Sequence, residues 1–286
     1  HASLLPQVPA EILEADLAPL ALELACWGSL DPATLTWLDP PPAAPLAQAR
    51  DLLQRLEAID ASGRATALGR DMAALGMHPR LGHMVLRARG LGLARLACEI
   101  AAVLSERDPV RSGPGSPDPD LRTRLDALHG RALPHGVTVD RGGLRRIERV
   151  VQQIERQLAR SSQSHRGGGS AVTDTDAAGL LLAFAYPDRI GRARAETGGR
   201  YALSGGRGAV LPGPAALARS EYIVVAALDA GEREARIQLA APLDPQQLEE
   251  HLADSIEDST LVEWDPRSET VAARRLRRLG QLVLRE

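Results

Sequence analysis

Thr66-Ala-Leu-Gly-Arg-Asp-Met-Ala-Ala-Leu-Gly-Met-His-Pro-Arg-Leu81 holds a cap, a helix and the opening of another helix in one short run. Thr66 can cap a helix, because its side-chain oxygen accepts an amide hydrogen that the first turn leaves unused. That helix runs through Met72 and Leu75. Pro79 can open the next helix, since proline lacks only an amide hydrogen that the first turn does not need. The second helix reaches Arg89 and is broken by Gly90-Leu91-Gly92. Upstream, Asp60-Ala-Ser-Gly63-Arg64 reads as a turn, and Leu46, Leu53 and Leu56 mark one face of a helix from about Leu46 to Ile59. Asp31-Pro32 starts a short helix that Asp39-Pro40-Pro41-Pro42 ends. Leu17, Leu20, Leu24 and Trp27, at spacings of 3, 4 and 3, predict a helix after an Asp16 cap, with Gly28 as its stop. Three helices, a tight turned segment and another helix within about 60 residues predict a small winged-helix module.

Downstream, Leu93, Leu96, Ile100, Val103 and Leu104 carry a further helix. The stretch from Asp108 to Asp120, with four prolines and two glycines, reads as a loop. Helical pattern returns at Leu121 and is strongest where Leu144, Ile147, Val151, Ile154 and Leu158 repeat at 3, 4, 3 and 4. Ser161 to Ser170 is a polar, Gly-rich break, after which Asp174 or Asp176 is placed to cap an apolar helix ending near Tyr186-Pro187. Beyond Pro187 the period changes. Tyr222–Leu228, Ala235–Ala240, Leu261–Trp264 and Thr270–Arg285 read as strands, with turns at Asp229–Glu232 and Asp265-Pro266 and a helix near Pro245–Leu252. The fold class is α+β, mainly α: winged helix, helical bundle, then one small β module.

The chain has 286 residues, enough for roughly two domains of about 100–200 residues. Its 44% hydrophobic and 25% charged residues are ordinary for a globular protein, and no apolar run approaches the roughly 18 residues of a membrane span. There is no signal-peptide pattern, and Cys26 and Cys98 fit no metal or redox spacing, so the chain reads as cytoplasmic with two plain thiols. Lysine and asparagine are absent, so all 34 basic residues are arginine. A P-loop needs its lysine, and Schiff-base chemistry needs one too, so neither is encoded here. The opening His1, with no methionine before it, is read as the mark of a piece of a longer protein.

Arg145, Arg149, Arg156 and Arg160 fall in a narrow stripe opposite the apolar face of the helix Leu144–Leu158. From Asp120 to Arg166 there are ten Arg against five Asp and Glu, in a chain of net charge −3. Such a row suits a phosphate backbone; a solvated amphipathic face is the competing reading. Arg189, Arg192 and Arg194, then Arg200 and Arg207 beside Gly198-Gly199 and Gly205-Gly206, form a second set. Glycines let backbone amides approach a phosphate, and arginine pairs with it, but β-turns account for the same pattern. Arg274, Arg275, Arg277 and Arg278 read as a basic sheet face that protects an edge strand. His78 and His83, five apart, are badly spaced for a metal; His78 reads as a helix-start residue. Glu249 and Glu250 beside His251 read as a solvated helix face. No catalytic constellation and no metal site emerges.

The run from Thr66 to Leu81 resembles the LT-x-x-G-x-x-MA-x-L-P-x-x-PRL signature in the helicase-associated region of DEAH-box (DEAH/RHA) RNA helicases. Pro9-Ala-Glu11-Ile12-Leu13-Glu14-Ala15-Asp16-Leu17 is similar to the family's PEI-x-R-x-x-L junction. Trp27-Gly28, Asp31-Pro32, Trp37-Leu38-Asp39, Pro41-Pro42, Ala185-Tyr186-Pro187-Asp188-Arg189-Ile190, Gly199-Arg200-Tyr201 and Val262-Glu263-Trp264-Asp265 resemble its bacterial HrpB branch, in order along essentially the whole chain. Glu14 stands where the family has Arg, and Gly76 where it has Pro.

The resemblance implies a layout: 1–16 the tail of a second RecA-like domain, 17–78 a winged helix, 79–186 a ratchet-like bundle, and 187–286 an OB-fold-like module, incomplete at its end. It implies an ATP-dependent RNA helicase whose ATP and Mg lie in RecA-like domains outside this chain, which has no cofactor of its own. These accessory domains would line a channel for single-stranded RNA or DNA. Two other readings stand beside it: a winged-helix DNA-binding regulator, and a helical scaffold for protein partners, which the pI of about 6.2 keeps open.

Overall fold

The structure, a computed structural model, describes residues 10–113, 118–160, 175–194, 198–213, 215–229, 234–265 and 270–285. The breaks expected at 161–170 and 230–232, the Asp174 cap and residues 1–9 lie outside these. Helix α1 (Ala18–Trp27) starts where Asp16 Oδ1 accepts the Ala18 amide hydrogen at 2.8 Å, and stops at Gly28, whose φ of 87° is left-handed. Helix α2 (Ala43–Arg55) ends short of Ile59, because Glu57 turns left-handed and the Ala58 amide returns to Leu53 O. Thr66 caps α3 (Ala67–Ala74) by accepting from Gly69 N at 2.9 Å. An antiparallel bridge joins Ile59 to Ala65. Leu17, Leu22, Leu46, Leu53, Leu56, Ile59 and Met72 make one core under these helices.

A second core continues through α4 (Pro79–Gly90), α5 (Ala94–Ser105), α6 (Leu121–Leu128), α7 (Arg141–Arg160) and α8 (Ala178–Ala185). The expected loop holds a short strand, β1 (Val110–Arg111), paired with β2 (Thr138–Val139). Helix α7 buries Ile147, Val151, Ile154 and Leu158 and packs on α5. All eight residues of α8 are buried, as suits a helix with no polar face. Its N-cap position is Ala177, and Asp176, one of the two aspartates expected to cap it, belongs to a preceding 3-10 turn, where its side chain lies 3.5 Å from Arg122.

Strands β3 (Ile190–Ala193), β4 (Arg200–Leu203), β5 (Gly208–Val210), β6 (Tyr222–Leu228) and β7 (Ala235–Leu243) close a barrel in the order β3-β4-β5-β7-β6. Only the β5–β7 pairing is parallel. Tyr201, Leu203, Ile223, Val225 and Ile237 fill it, and α8 packs on β6 and β7. The single β module expected over 187–286 is two sheets. After α9 (Pro245–His251), strands β8 (Ile256–Asp265), β9 (Thr270–Leu279) and β10 (Leu282–Arg285) form a separate antiparallel sheet, ordered β10-β9-β8. A two-residue period reveals strands but not which sheet they join.

Candidate nucleic-acid interface

The Leu144–Leu158 periodicity sets the geometry of α7. Once its apolar face is pressed on α5, Arg145, Arg149, Arg156 and Arg160 must stand on the opposite side, and all four are exposed. At about 1.5 Å per residue the row covers about 22 Å of helix axis. Arg149 Nε donates to Arg145 O (3.4 Å) and Arg156 Nε to Gln152 O (3.1 Å), so both guanidinium groups lie along the helix surface. Among the described residues no carboxylate forms an ion pair with any of the four. Two nearby charged residues are turned elsewhere: Glu155 pairs with Arg95 at 3.3 Å, and Arg146 with Asp140 at 3.5 Å.

The second arginine set is differently placed. Arg189 Nη1 donates to Ala226 O (2.9 Å), and its guanidinium sits 4.9 Å from the Tyr186 ring centre. Arg192 Nη1 donates to Val283 O and Leu284 O, and its Nη2 lies 3.6 Å from Glu221. Arg194 and Arg200 share Glu234 at 3.7 and 3.6 Å. Arg207 is exposed between β4 and β5. Gly205 N donates to Asp188 O and Gly206 N to Leu203 O, both at 2.8 Å. Gly205 and Gly206 thus spend these amides on carbonyls of the chain itself. The structure therefore does not gather the nine arginines into one row. The α7 set faces away from α5, whereas the second set belongs to the barrel and its joint with α8.

Sequence reasoning missed that joint. Arg80, at the start of α4, donates to both carboxylate oxygens of Asp188 at 2.6 and 3.0 Å and to Ala185 O at 3.0 Å. Its guanidinium lies 5.1 Å from the centre of the Tyr186 ring, so that ring is in contact with two arginines. Burial works to raise the Asp188 carboxyl, but the hydrogen bonds and charge of Arg80 prevail and hold it below its usual range. His83 Nδ1–H donates to Phe184 O at 2.7 Å, and burial lowers the His83 pKa. His78 accepts from Arg80 N and bonds Asp16 through Nε2 at 3.1 Å. The two histidines thus serve helix α4 and its neighbours. The signal was present: both partners lie in the quoted motifs, Pro79-Arg80-Leu81 and Tyr186-Pro187-Asp188-Arg189.

A winged-helix unit locked to a helical bundle and a five-stranded barrel, beside a helix with an exposed arginine row, has the make-up of a helicase-associated accessory region. Comparison with known proteins agrees. Residues 49–77 match the helicase-associated domain (HA2), winged-helix, and residues 255–286 match the connector region of ATP-dependent RNA helicase HrpB. The latter covers the separate β8–β10 sheet. The chain is 37% identical to the ATP-dependent RNA helicase HrpB of Escherichia coli over 98% of its own length and 31% of the relative's. It is 28% identical to the pre-mRNA-splicing factor ATP-dependent RNA helicase prp22 of Schizosaccharomyces pombe, over 55% of this chain and 15% of that protein. The crystal structure of the E. coli DExH-box NTPase HrpB superposes with a TM-score of 0.77 at 33% identity, covering 99% of this chain and 32% of the other. The chain thus carries the winged-helix and connector regions matched to HrpB-type DEAH-box helicases, and it spans about a third of the length of its HrpB relative.

Proposed function

We propose that this chain is the nucleic-acid-handling accessory region of a cytoplasmic ATP-dependent RNA helicase, in which α7 grips the backbone of a single strand. The observation that carries this reading is the arginine row of α7, exposed and, among the described residues, without an ion-pair partner, while Arg189, Arg192, Arg194 and Arg200 of the barrel are engaged. Guanidinium groups held on a rigid helix contact phosphates whatever the sequence. The family's ATP and Mg belong to RecA-like domains, which would lie against this chain and close the channel. The barrel order, with five strands and one parallel closure, supports an OB-type module at 190–243, a fold used for single-strand binding. The winged helix at 17–78 and the bundle at 79–186 would hold the barrel and α7 in fixed relation.

The test is a titration with a 12-nucleotide oligouridylate, comparing the native chain with an Arg149→Glu/Arg156→Glu variant. Both side chains are exposed, so the fold should be kept. Affinity is expected to fall roughly tenfold. Unchanged affinity would make the row a solvated face only, and preferential binding of a specific duplex would favour a winged-helix regulator.

A further inference from the structure

A cleft of about 590 Å³ lies between the barrel, α9 and the terminal sheet. It falls within the roughly 300–1,000 Å³ of small-ligand sites. Three arginines line it from different elements: Arg192 on β3, Arg277 on β9 and Arg285 on β10. Arg277 and Arg285 are direct cross-strand partners, so they project from the same face of the sheet. Like charges in that position repel and weaken a sheet. Two carboxylates answer the three cations: Glu249 pairs with Arg277 at 3.3 Å, and Glu221 with Arg192 at 3.6 Å. Among the described residues no carboxylate pairs with Arg285, and the lining holds three arginines against two glutamates. Arg192 is fixed in the wall by its bonds to Val283 O and Leu284 O. Tyr222, beneath that guanidinium at 5.9 Å, and Leu248 supply an apolar floor.

We propose that this cleft binds the phosphate of a nucleotide, with Arg285 and Arg277 as its principal contacts and the Tyr222–Leu248 floor taking the apolar part. An anion set between Arg277 and Arg285 turns their repulsion into attraction, and a planar guanidinium suits a phosphate oxygen pair. The site is separate from the α7 row and does not depend on it. A nucleotide phosphate reaches it either as a free mononucleotide or within a bound strand.

The experiment follows the arginine Nε–Hε signals of the 286-residue chain by NMR during titration with AMP, with adenosine and with a hexauridylate. If a free nucleotide is the ligand, AMP moves the Arg277 and Arg285 signals, adenosine does not, and Arg285→Ala weakens AMP binding about tenfold. If the phosphate comes from a strand, hexauridylate alone moves them, and Arg285→Ala weakens that response likewise. The proposal is overturned if neither phosphate ligand moves these signals, if adenosine acts like AMP, or if Arg285→Ala changes nothing. The Arg149→Glu/Arg156→Glu variant keeps the response in either supporting case, so failure at the cleft and failure at α7 are told apart.

Discussion

Arg80 and Asp188 stand 108 positions apart and meet through two N–H···O bonds in a largely buried joint. Removing one partner strands the other charge away from water, which is more damaging than removing both. Arg80→Met is therefore expected to lower stability by on the order of 3 kcal/mol in urea unfolding, and adding Asp188→Asn should recover part of that loss. Beside it, the His78 hydrogen bond, opposed by burial and helped by the Ala18 amide, lowers the Asp16 pKa from 3.8 to about 2. A depressed carboxyl pKa means that the stabilisation is complete above the unfolded value and fades as pH falls toward the folded one. The stability difference between the native chain and Asp16→Asn should thus shrink as pH falls from about 4 to 2; denaturation midpoints across that range check it. Burial pushes the Cys98 thiol up to about 12, whereas Cys26 is half-buried and raised only by its own burial and Glu23. Iodoacetamide at pH 8 should label Cys26 and spare Cys98 until the chain is unfolded, as peptide mass mapping would report.

Elements in this chain are positioned by how near one backbone comes to another. Helix α8 lies so close to β7 that a Cβ on Gly179 would fall 1.9 Å from Pro242 O, and α3 so close to Ala58 that one on Gly69 would fall 2.0 Å from its carbonyl oxygen. Backbone cannot yield as a side-chain tip can. Gly179→Ala should therefore destabilise by about 1–3 kcal/mol or more, with α8 displaced from the barrel, and a lowered thermal midpoint would show it. Periodicity foretold α1 and α7, whereas the Thr66 cap and the Pro79 start foretold α3 and α4. It placed the end of α2 too late, since a left-handed turn at Glu57 needs no glycine and leaves no mark in composition. It offered an aspartate cap for α8, where the buried helix starts from a 3-10 turn instead. The glycine at 179 carried no local signal at all, because its neighbour is Pro242, far along the chain.

Across the whole molecule, charge is sorted in a way that residue order only partly records. The α7 row was legible, because a helix fixes the direction of every side chain once its apolar stripe is known. The barrel arginines were not, since Glu221 and Glu234, their partners, approach only when the strands close into a barrel. This sorting makes a quantitative expectation for strand binding. Each phosphate contact to a single strand contributes about −0.7 to the slope of log affinity against log salt. Four contacts from Arg145, Arg149, Arg156 and Arg160 give a slope of about −2.8, and the variant Arg149→Gln/Arg156→Gln, with two left, about −1.4. Neutral glutamine is the better choice here, because it removes contacts without adding repulsion. If the paired barrel arginines were the grip instead, the slope would be the same in both proteins, and Arg194→Gln/Arg200→Gln would be the pair that halves it. Binding of oligouridylate and oligoadenylate at several salt concentrations separates the two. A grip through backbone charge also requires that both homopolymers bind alike, since a chain with seven aromatic residues has few rings on which to stack bases.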